Sequence, residues 1–267
     1  MGNIISGSDF TGRLGPVSVY KMRGHDKLVI RSKGGASKSR IKNHLNFEAT
    51  RNLNREWVLV TRTAKNIRLG LSAIGQLADY NVSGPLNALV KKIQTSDTIN
   101  EKGKRSILFS RYPDFLSSFQ LNRQTLFDSI VRQPLEVSID KNSAVATVTV
   151  PALQPSIHFF PNPRYAYYRF VIDLAAASDQ IWNEETMSFK PVIPVLPKYK
   201  HFFTTWVPAS SMQPAVTYQI APYIEGFSTG PDMILIVGAG IQYGMPSPDG
   251  SIQPVPYAGA ARILKCV

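Results

Sequence analysis

Cysteine is nearly missing from this 267-residue sequence. The single thiol, Cys266, stands one residue from the C-terminus, so an intrachain disulfide or a Cys-rich zinc cluster cannot form. Histidine is almost as scarce: His25, His44, His158 and His201 are scattered with no pair at ligand spacing, and neither HExxH nor CxxC occurs. No metal and no cofactor are therefore expected. Long hydrophobic runs are absent too. No window approaches the roughly 18 apolar residues of a membrane span, and the start lacks a cationic stretch followed by an apolar run. The expected setting is cytoplasmic, with no membrane partner. Acidic residues are few, 18 Asp and Glu against 30 Lys and Arg, for a net charge of +12.

Catalytic motifs are equally thin. The run Gly238-Ala239-Gly240-Ile241-Gln242-Tyr243-Gly244 follows an apolar strand, but Pro246 and Pro248 come at once. A dinucleotide site needs a helix there, so these glycines read as a bend in a strand. Gly103-Lys104-Arg105-Ser106 lacks the upstream glycine of a phosphate loop. Glu184 and Glu185 are adjacent and diverge in either a helix or a strand, so they make no acid–base pair. Ser210-Ser211 has no nucleophile elbow and no evident histidine partner. The expectation is a protein that is not an enzyme, with no catalytic residues; a hydrolase with an inter-domain site is the remote alternative.

What the sequence does have is a concentrated positive charge. Residues 1–70 carry 14 Lys and Arg against 4 Asp and Glu, residues 71–135 carry 8 against 5, and residues 136–267 carry 8 against 9. Such an asymmetry points to a local anionic partner rather than to solubility alone. Arg13, Lys21, Arg23, Lys27, Arg31, Lys33, Lys38, Arg40 and Lys42 make up the candidate site, interleaved with Tyr20, His25 and glycines. Phosphates attract such a surface without demanding geometry, and Tyr20 offers a stacking plane for an unpaired base.

Periodicity divides the chain in three. Residues 17–22 and 27–31 alternate around Arg23-Gly24-His25-Asp26, which reads as a glycine-flanked β-hairpin arm over 1–36. Over 37–133 the spacing turns helical: Trp57, Val60, Ala64, Ile67, Leu71 and Ile74 share one face, Leu86, Leu89, Val90 and Ile93 another, and a short helix is expected from Arg123 to Val131. After Pro134 the period becomes two, with long strands over 165–174 and 233–243. The expected architecture is α+β: hairpin arm, small helical module, and an antiparallel β-sandwich over 134–267.

Gly12-Arg13-Leu14-Gly15-Pro16-Val17, Val19-Tyr20-Lys21, Arg31-Ser32-Lys33-Gly34-Gly35, Phe47 through Trp57, and Asp97-Thr98 with Gly103-Lys104-Arg105 together resemble a group of Bacteroidota proteins with the same order of parts. The resemblance covers residues 10–175 most fully and implies a bacterial, cytoplasmic origin; it brings no site residue with it. The functional expectation is a structural or assembly protein whose basic arm engages a neighbouring subunit, as a homo-oligomer or with another protein, or an anionic partner. The alternative is a DNA- or RNA-binding protein working through phosphate contacts.

Overall fold

The computed structural model describes residues 3–6, 9–22, 27–32, 34–194, 199–221 and 229–267. The chain divides into two compact units, Met1–Arg51 and Asn52–Val267. The expected divisions were after residues 36 and 133. The N-terminal unit takes in more than the arm, and the helical and β-rich stretches share one body.

In the N-terminal unit, β1 (Asn3–Ser6), β2 (Asp9–Leu14), β3 (Val17–Lys21) and β4 (Leu28–Ser32) form an antiparallel sheet in the order β1-β2-β3-β4. The expected hairpin is the β3–β4 pair; its turn, residues 23–26, lies outside the described residues. Gly15 turns β2 into β3 at φ +57°, a left-handed conformation that a glycine adopts without strain. The short helix α1 (Lys38–Asn43) begins at Ser37, whose hydroxyl accepts from the Arg40 N–H at 3.2 Å. At its other end Arg51 donates to the carbonyls of Ile41 and His44 at 3.0 and 2.8 Å, satisfying acceptors the helix leaves open. No side chain described between residues 10 and 51 is buried.

The second unit begins within α2 (Glu48–Gly70), which buries Leu59, Val60, Thr63, Ala64 and Ile67 on one stripe. Trp57, expected on that stripe, is 48% exposed; the buried residue at this level is its neighbour Glu56. One residue is about 100° around a helix, so the stripe is rotated by that much at its start. The rotation follows from a buried charge. Glu56 receives Arg105 Nε at 2.8 Å and Nη2 at 2.6 Å, Lys91 Nζ at 2.9 Å and the Gly103 N–H at 2.8 Å. Burial alone would push this carboxyl up, but hydrogen bonds from Arg105, Gly103 and Lys91 outweigh it and hold it at about 2.

Helix α2 stops at Gly70 because Leu71 leaves helical geometry (φ −106°, ψ 30°), and the chain restarts as the single turn α3 (Ser72–Gly75). Helix α4 (Ser83–Thr95) follows with Pro85 in its first turn, where the missing N–H costs nothing, and buries Leu86, Val90 and Ile93. The helix expected over 123–131 is confined to α5 (Phe127–Ile130).

Then come β5 (Glu136–Asp140), β6 (Val145–Val150), β7 (Tyr167–Ser178), β8 (Gln180–Asn183), β9 (Ser188–Pro191), β10 (Tyr199–Phe203), β11 (Val207–Pro208), β12 (Val216–Ile220), β13 (Met233–Pro246) and β14 (Ile252–Cys266). The central sheet runs β10-β7-β13-β14 with β11 also on β7; β12-β6-β5 form a second sheet and β8-β9 a hairpin. Alternation along β7 and β13 assigns their side chains to two cores. Tyr168, Phe170, Ile172, Leu235, Val237 and Ile241 meet Val148 and Val150 of the second sheet, as a sandwich does. The opposite face, with Val171, Ala175, Ile234, Ile236 and Ile263, packs on Ile67, Ile74, Leu86 and Val90 of the helices. The unit is thus three layers: helices, central sheet, small sheet.

Glycine sets the spacing of the first two layers. A Cβ on Gly70 would lie 2.6 Å from the Ala175 Cβ, one on Gly238 would lie 2.4 Å from Ile74 Cδ1, and one on Gly240 would lie 2.6 Å from Leu77 Cδ1. Gly238 and Gly240 therefore let Ile74 and Leu77 sit down on β13, and two register shifts in the β13–β14 pairing flank this pair.

Candidate functional site

Among the nine cations singled out in the sequence, Arg23 and Lys33 lie outside the described residues. Arg13, Lys21, Lys27, Arg31, Lys38, Arg40 and Lys42 are all exposed, and among the described residues no ion pair reaches any of them. Strand register brings some together. Arg13 stands opposite Ser18, and Ser18 opposite Arg31, so both guanidinium stems rise from one face in one row across three strands. Tyr20, paired with Val29, follows on the same face. Lys21, paired with Leu28, belongs to the other face, alongside Leu14, Val17, Val19 and Ile30. Lys38, Arg40 and Lys42 sit on α1, away from this row in sequence. Register thus puts Arg13 and Arg31 in one row and Lys21 on the reverse face, while Lys38, Arg40 and Lys42 sit on a separate element, α1.

Lys104 and Arg105 of the 102–105 loop serve the fold instead. Arg105 binds Glu56, and Lys104 bridges Glu101 at 3.0 Å and Glu184 at 2.8 Å.

A different constellation, which no motif announces, lies between the helical layer and the central sheet. Asp173 of β7 and His201 of β10 are direct partners across the strands, so their side chains project from the same face, toward the helices. His201 Nδ1 is 2.7 Å from Asp173 Oδ1, and His201 Nε2 is 3.2 Å from Ser72 Oγ. The Ile74 N–H donates to the other carboxylate oxygen, Oδ2, at 3.0 Å. Asp173 is fully buried, whereas Ser72 and His201 are partly exposed. Burial pushes the Asp173 carboxyl up, against lowering by the Ile74 N–H and by His201. When Asp173 is ionised it only accepts, which puts the proton on Nδ1 and leaves Nε2 to accept from the Ser72 hydroxyl. The Tyr199 ring lies 4.8 Å from the imidazole, centroid to centroid, and steadies it.

Ser72 also lines a cleft of about 340 Å³, walled by Leu71, Val82, Leu86, Phe119, Leu121 and Ile263. Arg68, one helical turn before Ser72, lines the same cleft. Its Nη1 is held by Ser83 Oγ at 2.7 Å, while its buried Nε has no hydrogen-bond partner among the described residues.

Three sequence positions far apart converge here: Ser72, Asp173 and His201. The readable signal was Asp173 itself, a lone acid inside the apolar run 170–177, since an unpaired buried carboxylate is rarely tolerated. Ser210 and Ser211, by contrast, lie on an exposed turn. Among the described residues no cluster of three His, Cys, Asp or Glu side chains could hold a metal ion, and no helix is long and apolar enough to cross a membrane. Comparison with protein-family models, with curated proteins and with solved structures finds no match.

Proposed function

We propose that the chain is an assembly protein whose N-terminal sheet docks on a neighbouring subunit. One observation carries this reading: no side chain described between residues 10 and 51 is buried, yet one face of the sheet carries Leu14, Val17, Val19, Leu28 and Ile30, with Lys21 and Ser32 at its two ends. A small sheet gains stability by covering such a face, and Leu14 and Ile30 remain 70% and 71% exposed. Covering each would contribute about 1–2 kcal/mol at the usual value per apolar area. The basic row on the opposite face then stays free to meet a further, anionic partner.

A second reading rests on the Arg13–Ser18–Arg31 row with Tyr20 beside it: nucleic acid bound through phosphates and one stacked base. Light scattering with and without a short RNA or DNA duplex separates the two. The assembly reading expects an oligomer that Val19→Asp with Ile30→Asp reduces to monomer, with no response to nucleic acid. A wild-type chain that is monomeric at tens of micromolar without nucleic acid overturns it. Binding that weakens with salt, with a slope flattened by Arg13→Ala and Arg31→Ala, selects the second reading.

A further inference from the structure

We propose that Ser72, His201 and Asp173 form a nucleophile relay that hydrolyses carboxylic esters whose apolar acyl part occupies the adjoining cleft. The three requirements of such a relay are met by separate parts of the fold. The nucleophile is within reach of the base, at 3.2 Å from Ser72 Oγ to His201 Nε2. The base is oriented by a buried acid, at 2.7 Å from His201 Nδ1 to Asp173 Oδ1, and that acid is itself fixed by the Ile74 N–H. The nucleophile also opens on a place for substrate, because Ser72 lines the apolar cleft.

The acid belongs to the sheet, the base to the neighbouring strand and the serine to the helical layer. Strand register, not a loop, sets the His201–Asp173 distance. The break at Leu71 brings Ser72 onto the short turn whose Ile74 N–H Asp173 accepts. The charge that develops on the ester oxygen needs a donor, and among the described residues Arg68 Nε–H is a buried donor lining this cleft that has no partner.

The chemistry balances without a co-reactant beyond water. Ser72 Oγ bonds to the ester carbon as its proton passes to His201 Nε2, and Arg68 faces the resulting oxyanion. Collapse breaks the bond to the leaving alkoxide, which takes the proton from His201 and departs as the alcohol. Water then attacks the acyl-Ser72 ester, giving its proton to His201; the Ser72 oxygen leaves, regains that proton, and the carboxylic acid is released.

The test uses the full chain and two probes: a fluorophosphonate, read by intact mass and peptide mapping, and p-nitrophenyl esters of acetate and decanoate. The expected result is one equivalent of label on the Ser72 peptide, decanoate turned over faster than acetate, and hydrolysis reduced at least ~100-fold in Ser72→Ala and His201→Gln, the range a positioned base contributes. Arg68→Met should lower kcat by a comparable factor with little change in KM. Asp173→Asn should also slow hydrolysis, as a positioning residue would. Ser72→Ala removes only a hydroxyl, and an unchanged thermal transition confirms that its loss of labelling is chemical. Absence of label on the wild-type chain, label at another residue, or equal hydrolysis by Ser72→Ala each overturns the proposal.

Discussion

Replacing Glu56 by glutamine tests whether the buried charge cluster stabilises the second unit, because it removes the charge while keeping the shape. The folded carboxyl sits at about 2 against an ordinary 4.5; a displacement of that size corresponds to about 3 kcal/mol of stabilisation when the group is ionised. Its sign follows from the depressed value: the stabilisation is complete above about pH 4.5 and is lost as pH falls toward 2. Removing one member of a buried pair typically costs about 3–5 kcal/mol. Arg105 and Lys91 keep 14% and 28% of their side chains exposed, so water relieves part of that, and Glu56→Gln should cost about 3 kcal/mol at pH 7. Urea unfolding at a series of pH values, for wild type and variant, measures this directly. The two stability curves should be separated by that amount at neutral pH and converge between about pH 4.5 and 2. Asp97, lowered by bonds from Asn100 and Ser106 that outweigh its burial, titrates in both proteins and drops out of the difference. Parallel curves down to pH 2.5, or a variant as stable as wild type at pH 7, would refute the assignment.

Gly240→Ala should destabilise by about 1–3 kcal/mol, because its Cβ meets Leu77 Cδ1, the Ala261 Cβ at 2.9 Å and the Ala260 carbonyl at 3.1 Å. Gly75→Ala, in α3 with nothing near its Cβ, should instead stabilise by up to about 1 kcal/mol; thermal melts of the pair check both signs. Burial pushes the Cys266 thiol up to about 12, so Ellman's reagent should leave it intact at pH 8 and modify it only as the chain unfolds in urea. Tyr168→Phe should cost about 1–2 kcal/mol in the same urea titration, because it strips Gln213 Oε1 of a buried 2.7 Å hydrogen bond.

Local periodicity carried most of the fold. The two-residue alternation of Val137 and Ile139 with polar neighbours located β5, and the apolar spacing of Leu86, Val90 and Ile93 behind Pro85 located α4. Where the reading went astray, a long-range partner decided. Trp57 looks like a core residue from its own helix alone, but Glu56 takes the inward position because a loop nearly fifty residues on supplies Arg105 and the Gly103 N–H. The glycines at 238 and 240 read as a bend, and register shifts do flank them; nothing nearby in sequence hints that Ile74 and Leu77 also rest on them. The Ser72–His201–Asp173 group stayed hidden for the same reason. Its members are joined by strand pairing and layer packing, neither of which leaves a spacing to read. The basic residues were visible as a cluster, but only the β2–β3–β4 register separated the Arg13–Arg31 row from Lys21 on the reverse face.

The double-sided burial of β7 and β13 means that the change of composition near residue 134 is no place to cut the molecule. A fragment holding only the later strands would bare Val171, Ala175, Ile234 and Ile263 to water, and the helices alone would have nothing on which to lay Ile67, Ile74 and Val90. Each piece would aggregate for want of the other. A protease nick there, in the intact unit, should yield two strands of polypeptide that stay together through gel filtration and part only in denaturant.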